Sequence, residues 1–383
     1  MLKKYFTKIL CALFLLSAAS NSFAAPKKIR GLKDEVRGRF LMGVALSDAQ
    51  AANRFPDKTE IVKGHFNSIV AENTMKAAYL QPREGEFNFA SADAFVEFGL
   101  KNKMFIIGHT LIWHSQLPEW FCVGEDGKNV SPEVLKKRMK AHIQTVVGRY
   151  KGKVRGWDVV NEAVEGDGSF RKSKFYEILG EEFIELAFKY AHEADPKAKL
   201  YYNDYGMDGE KKREAVVALV KNLKKKRIRI DGVGMQGHMG LVHPDIAEFE
   251  KSIVAFASAG VKVMVTEWDM SALPSAWGAS ANISDTQEFN AKYNPYTESL
   301  PEGVSEKWNA RMEDFFRLFL KYSNSISRVT FWGISDGDSW LNNFPMRGRT
   351  DYALAFSRDL KPKPFVEKIL KGKVREKPLP RIK

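Results

Sequence analysis

The chain has 383 residues, of which 44% are hydrophobic and 12% aromatic, so it can bury a large core and is not disordered as a whole. Its 60 Lys and Arg residues outnumber its 47 Asp and Glu residues, giving a formal net charge of +13. We do not expect nucleic-acid binding, because no DNA- or RNA-reading motif accompanies this charge and much of the excess lies near the two ends of the chain.

The amino-terminal residues have the features of a secretory signal peptide. Lys3 and Lys4 precede the apolar run Ile9–Leu16, and small residues around Ala24 offer a cleavage site. The run is too short to span a bilayer. We therefore expect residues 1–24 to be removed, and the mature protein to be secreted or periplasmic without membrane association.

Cys122 would be the one cysteine left after cleavage, because Cys11 lies in the leader. No intrachain disulfide is then possible, and the fold must depend on its own core. Cys122 follows Trp120 and Phe121, so we expect it to pack as a small hydrophobic residue rather than act as a nucleophile.

Segments typical of strands and helices alternate along the rest of the chain. Helical signals include Ser131 followed by Pro132, and the spacing of Trp308, Met312 and Phe319. The eight predicted strands are Phe40–Ala45, Asn67–Val70, Phe105–His109, Val154–Val160, Lys199–Asn203, Gly232–Gln236, Lys262–Thr266 and Arg328–Trp332.

This alternation predicts an α/β fold, a (β/α)8 TIM barrel, in a single catalytic domain over residues 25–373. A doubly wound sheet would alternate in the same way and is the alternative, although no Gly-x-Gly-x-x-Gly turn follows the first strand. The long segment Ser271–Gly303 leaves the seventh strand, and we expect it to wall the site. Residues 374–383 are predicted to form a loosely held basic tail.

Glu162 and Glu267 each follow a predicted buried strand, the fourth and the seventh. In a parallel barrel, the carboxyl ends of the strands meet at the mouth where chemistry takes place. Two carboxyl groups there can hydrolyse a glycosidic bond, one protonating the departing oxygen and the other stabilising or capturing the sugar ring. The alternative for Glu162 is a cap on the following helix.

His238 ends the predicted sixth strand and could bridge Glu267 and Asp269, which share a face if their strand continues. The three side chains could also suggest a metal site. The sequence has no His-Glu-x-x-His run and no cysteine pair, so we expect no metal and no cofactor.

Aromatic and polar residues near the strand ends indicate the substrate class. Trp113, Trp332 and Trp340 could pack on sugar rings, although each could equally belong to the core. Many polar residues accompany them, which suits the hydroxyl groups of a polysaccharide. These are Glu72, Asn73, Lys76, His109, Gln116, Asn203, Asp204 and Tyr205.

With these motifs the chain resembles the family 10 glycoside hydrolases, which are retaining endo-β-1,4-xylanases with a (β/α)8 barrel. The resemblance extends from Gly43 to Pro362. The motifs that carry it are Glu72-Asn-Thr-Met-Lys76, Gly108-His-Thr-Leu-Ile-Trp-His-Ser-Gln116, Trp157-Asp-Val-Val-Asn-Glu162, Asn203-Asp-Tyr205, Gly234-Met-Gln-Gly-His238, Thr266-Glu267 and Trp332-Gly-Ile-Ser-Asp336.

The resemblance implies that Glu162 is the acid/base and Glu267 the nucleophile, positioned by His238 and Asp269. Asn161 would bind the 2-hydroxyl of the sugar at the cleaved bond, and Tyr205 would lie towards the leaving group. The residues implied to line the glycone side are Lys76, His109, Trp113, Gln116, Gln236, Trp332 and Trp340, with Glu72 and Asn73 further from the bond. The implied partners are xylan and xylo-oligosaccharides, and we expect a monomer.

Three residues depart from the family pattern. Ala77 stands where tryptophan is common, Trp268 replaces a smaller aliphatic residue after the nucleophile, and Gly206 replaces a frequent asparagine. None removes a catalytic group. The distal subsites and the chain-length preference therefore do not follow from the resemblance.

Two other functions stay open on the sequence. A barrel β-glucanase or mannanase would use the same pair of carboxylates, and a carbohydrate-binding protein could keep the cleft without turnover. Polyanion binding by the basic tail could coexist with either.

Overall fold

The computed structural model describes residues 30–276 and 286–375. The predicted signal peptide lies outside the described residues, as do most of the predicted basic tail and positions 277–285 of the long segment after the seventh predicted strand. Within the described ranges, no helix has both the length and the apolar character needed to cross a membrane.

Nine strands occur in the described part of the chain. In order, β1 to β9 are Leu41–Leu46, Ser68–Ala71, Phe105–Trp113, Gly156–Asn161, Lys199–Asp204, Gly232–Met235, His238–Gly240, Lys262–Ser271 and Ile326–Phe331.

Eight of these strands form a closed parallel barrel. Each of β1 to β5 pairs with the next strand, β6 pairs with β8, β8 with β9, and β9 returns to β1. The predicted (β/α)8 barrel is therefore confirmed, and the doubly wound alternative is wrong because an open sheet has no pairing of the last strand with the first.

Most predicted strand bounds differ from the observed ones by one or two residues at most. The carboxyl ends of β3 and β8 differ more, because both strands continue further into the barrel mouth than predicted. β3 extends past His109 because Trp113 pairs with Asn161 of β4. β8 extends past Thr266 because the short strand β7 pairs with it, His238 opposite Asp269. Glu267 therefore lies inside a strand and not at its end.

Helices surround the barrel and bury one face each against it. α8, for example, buries Phe183, Ala187 and Ala191 at helical spacing. In order, α1 to α12 are Leu32–Glu35, Asp48–Ala51, Pro56–His65, Ala77–Leu80, Ala90–Lys101, Pro132–Arg149, Lys174–Leu179, Glu182–Ala194, Glu210–Lys225, Ile246–Ser258, Glu302–Lys321 and Pro364–Leu370. Short 3-10 turns lie at Glu119–Phe121, Ala291–Tyr293, Asp336–Asp338 and Trp340–Asn342.

Local signals read from the sequence are found at the expected helices. The Ser131 hydroxyl accepts a hydrogen bond from the amide of Val134 (3.4 Å) and Pro132 begins α6, while Trp308 and Met312 are buried on α11. Cys122 is buried, and burial raises the pKa of its thiol to about 12, so it packs as a small hydrophobic residue, as the sequence predicts.

Two large rings show how the barrel wall is packed. Gly108 of β3 leaves room for Trp157 of β4, because a Cβ at Gly108 would lie 2.1 Å from the indole ring. Trp268 of β8 faces outward, stacks on Phe331 and meets Phe319 of α11 edge to face. Trp268 therefore fills the layer between barrel and helices and does not line the cleft.

Candidate active site

A cavity of about 690 Å³ opens at the carboxyl ends of the barrel strands. Its position is the one at which parallel barrels carry their reactive side chains. The residues of the sequence prediction that line it are Lys76, His109, Trp113, Asn161, Glu162, Tyr205, Gln236, His238, Glu267, Asp269, Trp332 and Trp340. Glu72, Asn73 and Gln116 are not part of this lining.

Glu162 lies directly after β4 in a left-handed backbone conformation, with a φ of 58°. Its amide donates to the Asn203 carbonyl at 2.9 Å. The carboxylate accepts hydrogen bonds from Trp113 Nε1 (2.8 Å) and Gln236 Nε2 (2.8 Å), and from Asn161 Nδ2 (3.2 Å). All three donors are neutral, so no cation among residues 30–276 and 286–375 donates a hydrogen bond to this carboxylate.

The electrostatic surroundings of Glu162 favour its protonated form. Burial is the largest effect that raises the pKa of this carboxyl above its ordinary value, followed by the negative charge of Asp204. Glu267, the neighbour expected from the sequence, acts in the same direction but more weakly. The pKa of Glu162 is therefore shifted in the direction that a proton donor needs.

Glu267 lies in β8 and meets a different set of partners. Its Oε1 accepts from Asn203 Nδ2 at 2.9 Å, and its Oε2 accepts from His238 Nε2 at 3.1 Å. Burial alone would raise the pKa of Glu267, but the hydrogen bond from His238 and the charges of His109 and His238 outweigh burial and hold the pKa below its ordinary value. The carboxylate is therefore ionised at neutral pH.

His238 lies between two carboxylates. Its Nδ1 is 2.9 Å from Asp269 Oδ1, and the other oxygen of Asp269 accepts from Trp340 Nε1 at 2.8 Å. Burial would lower the pKa of His238, but the charge and hydrogen bond of Asp269, together with Glu267, raise it to about 10. At neutral pH the ring is an imidazolium that donates to Asp269 and to Glu267.

The Lys76 ammonium lies at one end of the cleft, buried 5.0 Å from the centre of the Trp113 ring. It donates to Gln116 Oε1 (2.7 Å) and Asn73 Oδ1 (3.0 Å). Burial lowers its pKa to about 8, opposed by the charges of Glu267, Glu72 and Glu162. Asn73 and Gln116 thus orient Lys76, and Glu72 acts on it through charge.

A second polar group lines the floor of the cleft. His109 Nδ1 is 3.0 Å from Asp158 Oδ2, and the His109 ring meets Trp332 edge to face at 5.5 Å. Asn203 Nδ2 donates to Asn161 Oδ1 (2.9 Å) as well as to Glu267. Asn203 therefore connects Asn161, the residue before Glu162, to Glu267.

Four neighbours of the two glutamates received no specific role from the sequence. Asn203 and Asp204 were predicted as polar site residues, but the hydrogen bond of Asn203 to Glu267 and the effect of the Asp204 charge on Glu162 depend on the adjacency of strands. Arg171 donates to the Glu162 carbonyl and the Tyr205 hydroxyl, and Lys212 pairs with Asp204 at 2.7 Å. Arg171 lies in a loop and Lys212 lies on a basic helix. Nothing in the sequence distinguishes these two residues from the charged residues that face solvent.

The segment after β8 contributes a wall, as expected from its length. Ser271–Ser275 and Tyr296 line the cavity, as do Gly240–His243, whose Gly240 pairs with Ser271. Of the two other departures from the family pattern, Ala77 is buried at the start of α4. Gly206 lines the cleft with a φ of 56°, a conformation that glycine and asparagine both adopt.

Within the described ranges, no group of three or more His, Cys, Asp and Glu side chains has the arrangement of a metal site. The donors around the two glutamates are amides, an indole and an imidazolium, which bind oxygen atoms by hydrogen bonds.

The chain is similar to several known proteins. The family model for glycosyl hydrolase family 10 matches residues 31–372. The chain is 44% identical over 366 residues to endo-1,4-beta-xylanase A of Xylanibacter ruminicola, covering 95% of this chain and 98% of that protein. It is 39% identical to a beta-1,4-xylanase of Dictyoglomus thermophilum, with the same two coverages.

A solved structure is similar over the whole fold. The structure of a GH10 endoxylanase from a sugarcane soil metagenome superposes with a TM-score of 0.84 and 44% identity. The match covers 90% of this chain and 99% of that one.

The charge state of His238 can be tested by NMR. At pH 8 we expect its ring to carry both N–H protons, because its pKa is raised to about 10. His114 and His142, whose pKa values burial lowers to about 4, should be neutral in the same spectrum. Asp269→Asn should return His238 to the neutral form at pH 8. A neutral His238 in the unchanged protein would contradict this.

Proposed function

Since this chain belongs to glycosyl hydrolase family 10 and is a retaining glycoside hydrolase, we propose that it is a secreted endo-1,4-β-xylanase with Glu162 as acid/base and Glu267 as nucleophile. The observation that supports the residue assignment is the difference in partners of two carboxyls in one cleft: neutral donors contact Glu162, and the His238 imidazolium contacts Glu267. The pKa shifts follow the same division, raised for Glu162 and lowered for Glu267, which are the directions that a proton donor and an attacking carboxylate need.

In the first step, Glu162 donates its proton to the glycosidic oxygen as the bond to the anomeric carbon breaks. The Glu267 carboxylate attacks that carbon and forms a covalent glycosyl-enzyme. Asn161, which donates to Glu162 and accepts from Asn203, is well oriented to bind the neighbouring 2-hydroxyl. His238 donates a hydrogen bond that orients the attacking carboxylate. Asp269 accepts from His238 and from Trp340, and these contacts in turn orient His238.

In the second step, Glu162 acts as a base. It takes a proton from a water molecule, whose oxygen attacks the anomeric carbon and releases Glu267. The configuration at the anomeric carbon is inverted twice and so retained. The same carboxyl is therefore protonated before the first step and ionised before the second, and its raised pKa favours the protonated state that begins the cycle.

The cleft is open along the barrel mouth, which supports attack within a chain. Lys76, His109, Trp332, Trp340 and Tyr205 all line this cleft. We propose the first four for the glycone side and Tyr205 for the leaving-group side. We propose xylan and xylo-oligosaccharides as substrates, with the monomer as the active unit. The names of the matched relatives support this choice over glucans and mannans.

A substrate panel tests the function. The protein should release reducing sugar from xylan at least about tenfold faster than from glucomannan or cellulose, since exclusion of one hydroxymethyl group is worth roughly 10- to 200-fold. Glu267→Ala should abolish this activity while the variant folds. Faster release from glucomannan would favour a mannanase, and full activity of Glu267→Ala would remove the glutamate from the mechanism.

The acid role of Glu162 has its own test. Glu162→Ala should lose roughly 10²- to 10⁴-fold in kcat/KM on xylohexaose, whose leaving sugar needs a proton. The loss on 2,4-dinitrophenyl β-xylobioside should be far smaller, because that leaving group departs without one. Equal losses on both substrates would count against the assignment.

Export is proposed on the amino-terminal sequence alone. Expression of the full chain in a bacterium should yield a protein outside the cytoplasm whose mass corresponds to a start near Ala25. Recovery of the uncleaved chain in the cytoplasm would contradict it.

A further inference from the structure

Arg171 lies in the loop between β4 and α7, and its side chain is 16% exposed. Its guanidinium contacts three groups at once. Nε donates to the backbone carbonyl of Glu162 (2.9 Å), Nη2 donates to the Tyr205 hydroxyl (2.6 Å), and Nη1 pairs with Glu165 (3.0 Å). The N–H donors of arginine lie in one rigid plane. The Glu162 carbonyl and the Tyr205 hydroxyl are therefore held in a fixed position relative to each other.

The backbone of Glu162 requires such a restraint. A φ of 58° is unfavourable for a residue with a Cβ and persists only where the surroundings hold it. The amide of Glu162 is held by the Asn203 carbonyl and its carbonyl by Arg171. The loop also closes on itself, since the Arg171 amide donates to the Ala163 carbonyl at 2.8 Å.

Tyr205 is held from two directions. The Lys212 ammonium lies 4.1 Å from the centre of its ring, and Arg171 donates to its hydroxyl. Lys212 is itself buried and paired with Asp204, whose Oδ1 also accepts from the Tyr205 amide at 2.9 Å. Tyr205 therefore presents a fixed surface to the cleft.

We propose that Arg171 is a positioning residue that connects the acid/base Glu162 to the leaving-group side of the cleft. The inference rests on the proposed function. Arg171 acts through the Glu162 backbone and through Tyr205, so it sets the direction from which the proton reaches the departing oxygen. Substitution of Arg171 should therefore lower kcat/KM on substrates whose leaving group must be protonated. It should have almost no effect on substrates whose leaving group needs no proton.

The test compares kcat/KM on xylohexaose and on 2,4-dinitrophenyl β-xylobioside. Arg171→Gln should lose about 10- to 100-fold on xylohexaose, since a shift of about 1 Å in a catalytic group can cost 10²-fold. On the aryl substrate it should lose less than about threefold. Equal losses on the two substrates would mean a general structural role and would overturn the proposal, as would no loss on xylohexaose.

Two variants serve as controls. Glu165→Gln removes the third partner of the same guanidinium and should keep wild-type rates on both substrates. Arg171→Lys keeps the positive charge but lacks the planar set of N–H donors. It should therefore lose activity on xylohexaose as Arg171→Gln does. A loss in Glu165→Gln as large as in Arg171→Gln, or full activity of Arg171→Lys, would overturn the proposal.

Two further outcomes have their own measurements: an Arg171→Gln variant that does not fold, and a failure of the acid role of Glu162. Should Arg171→Gln fail to fold, Tyr205→Phe carries the test, because it removes one acceptor of Arg171 and keeps the ring. Its loss should be greater on xylohexaose than on the aryl substrate, and equal losses overturn the proposal. Glu162→Ala measured in parallel identifies a failure of the acid assignment itself, which would appear as equal losses in that variant.

Discussion

The chemistry of this site depends on one asymmetric interaction. Two carboxyls share the same cleft, and burial acts to raise the pKa of both. In the part of the chain that the structure describes, Glu267 receives a hydrogen bond from a cation, the imidazolium of His238, and Glu162 does not. The described donors to Glu162 are neutral, and the negative charge of Asp204 acts on it. This difference favours a proton on Glu162 and a negative charge on Glu267.

The closed barrel gives the two glutamates different partners because it places particular strands next to each other. β4, β5, β6 and β8 are consecutive around the ring, so side chains distant in sequence meet at their carboxyl ends. Asn203 of β5 reaches Asn161 of β4 and Glu267 of β8. The pairing of β7 with β8 brings His238 opposite Asp269. Each buried polar group in this network has partners, which limits the cost of burying charge.

Much of the fold and the site could be predicted from the sequence, because buried parallel strands and short motifs are local signals. The eight barrel strands and the clustering of Glu162, Glu267, His238 and Asp269 follow from such signals. The extension of β8, the direction of the Trp268 ring and the contacts of Arg171 depend on tertiary packing. Asp204 was visible as a motif residue, but its influence on Glu162 depends on the distance between neighbouring strands.

The most direct test is a titration of the two carboxyls by ¹³C NMR, with the Glu162 and Glu267 signals identified from their absence in Glu162→Gln and Glu267→Gln. Glu162 should titrate above the ordinary value of 4.5, and Glu267 below it. The reverse order, or one shared value near 4.5, would contradict the division of roles between the two glutamates.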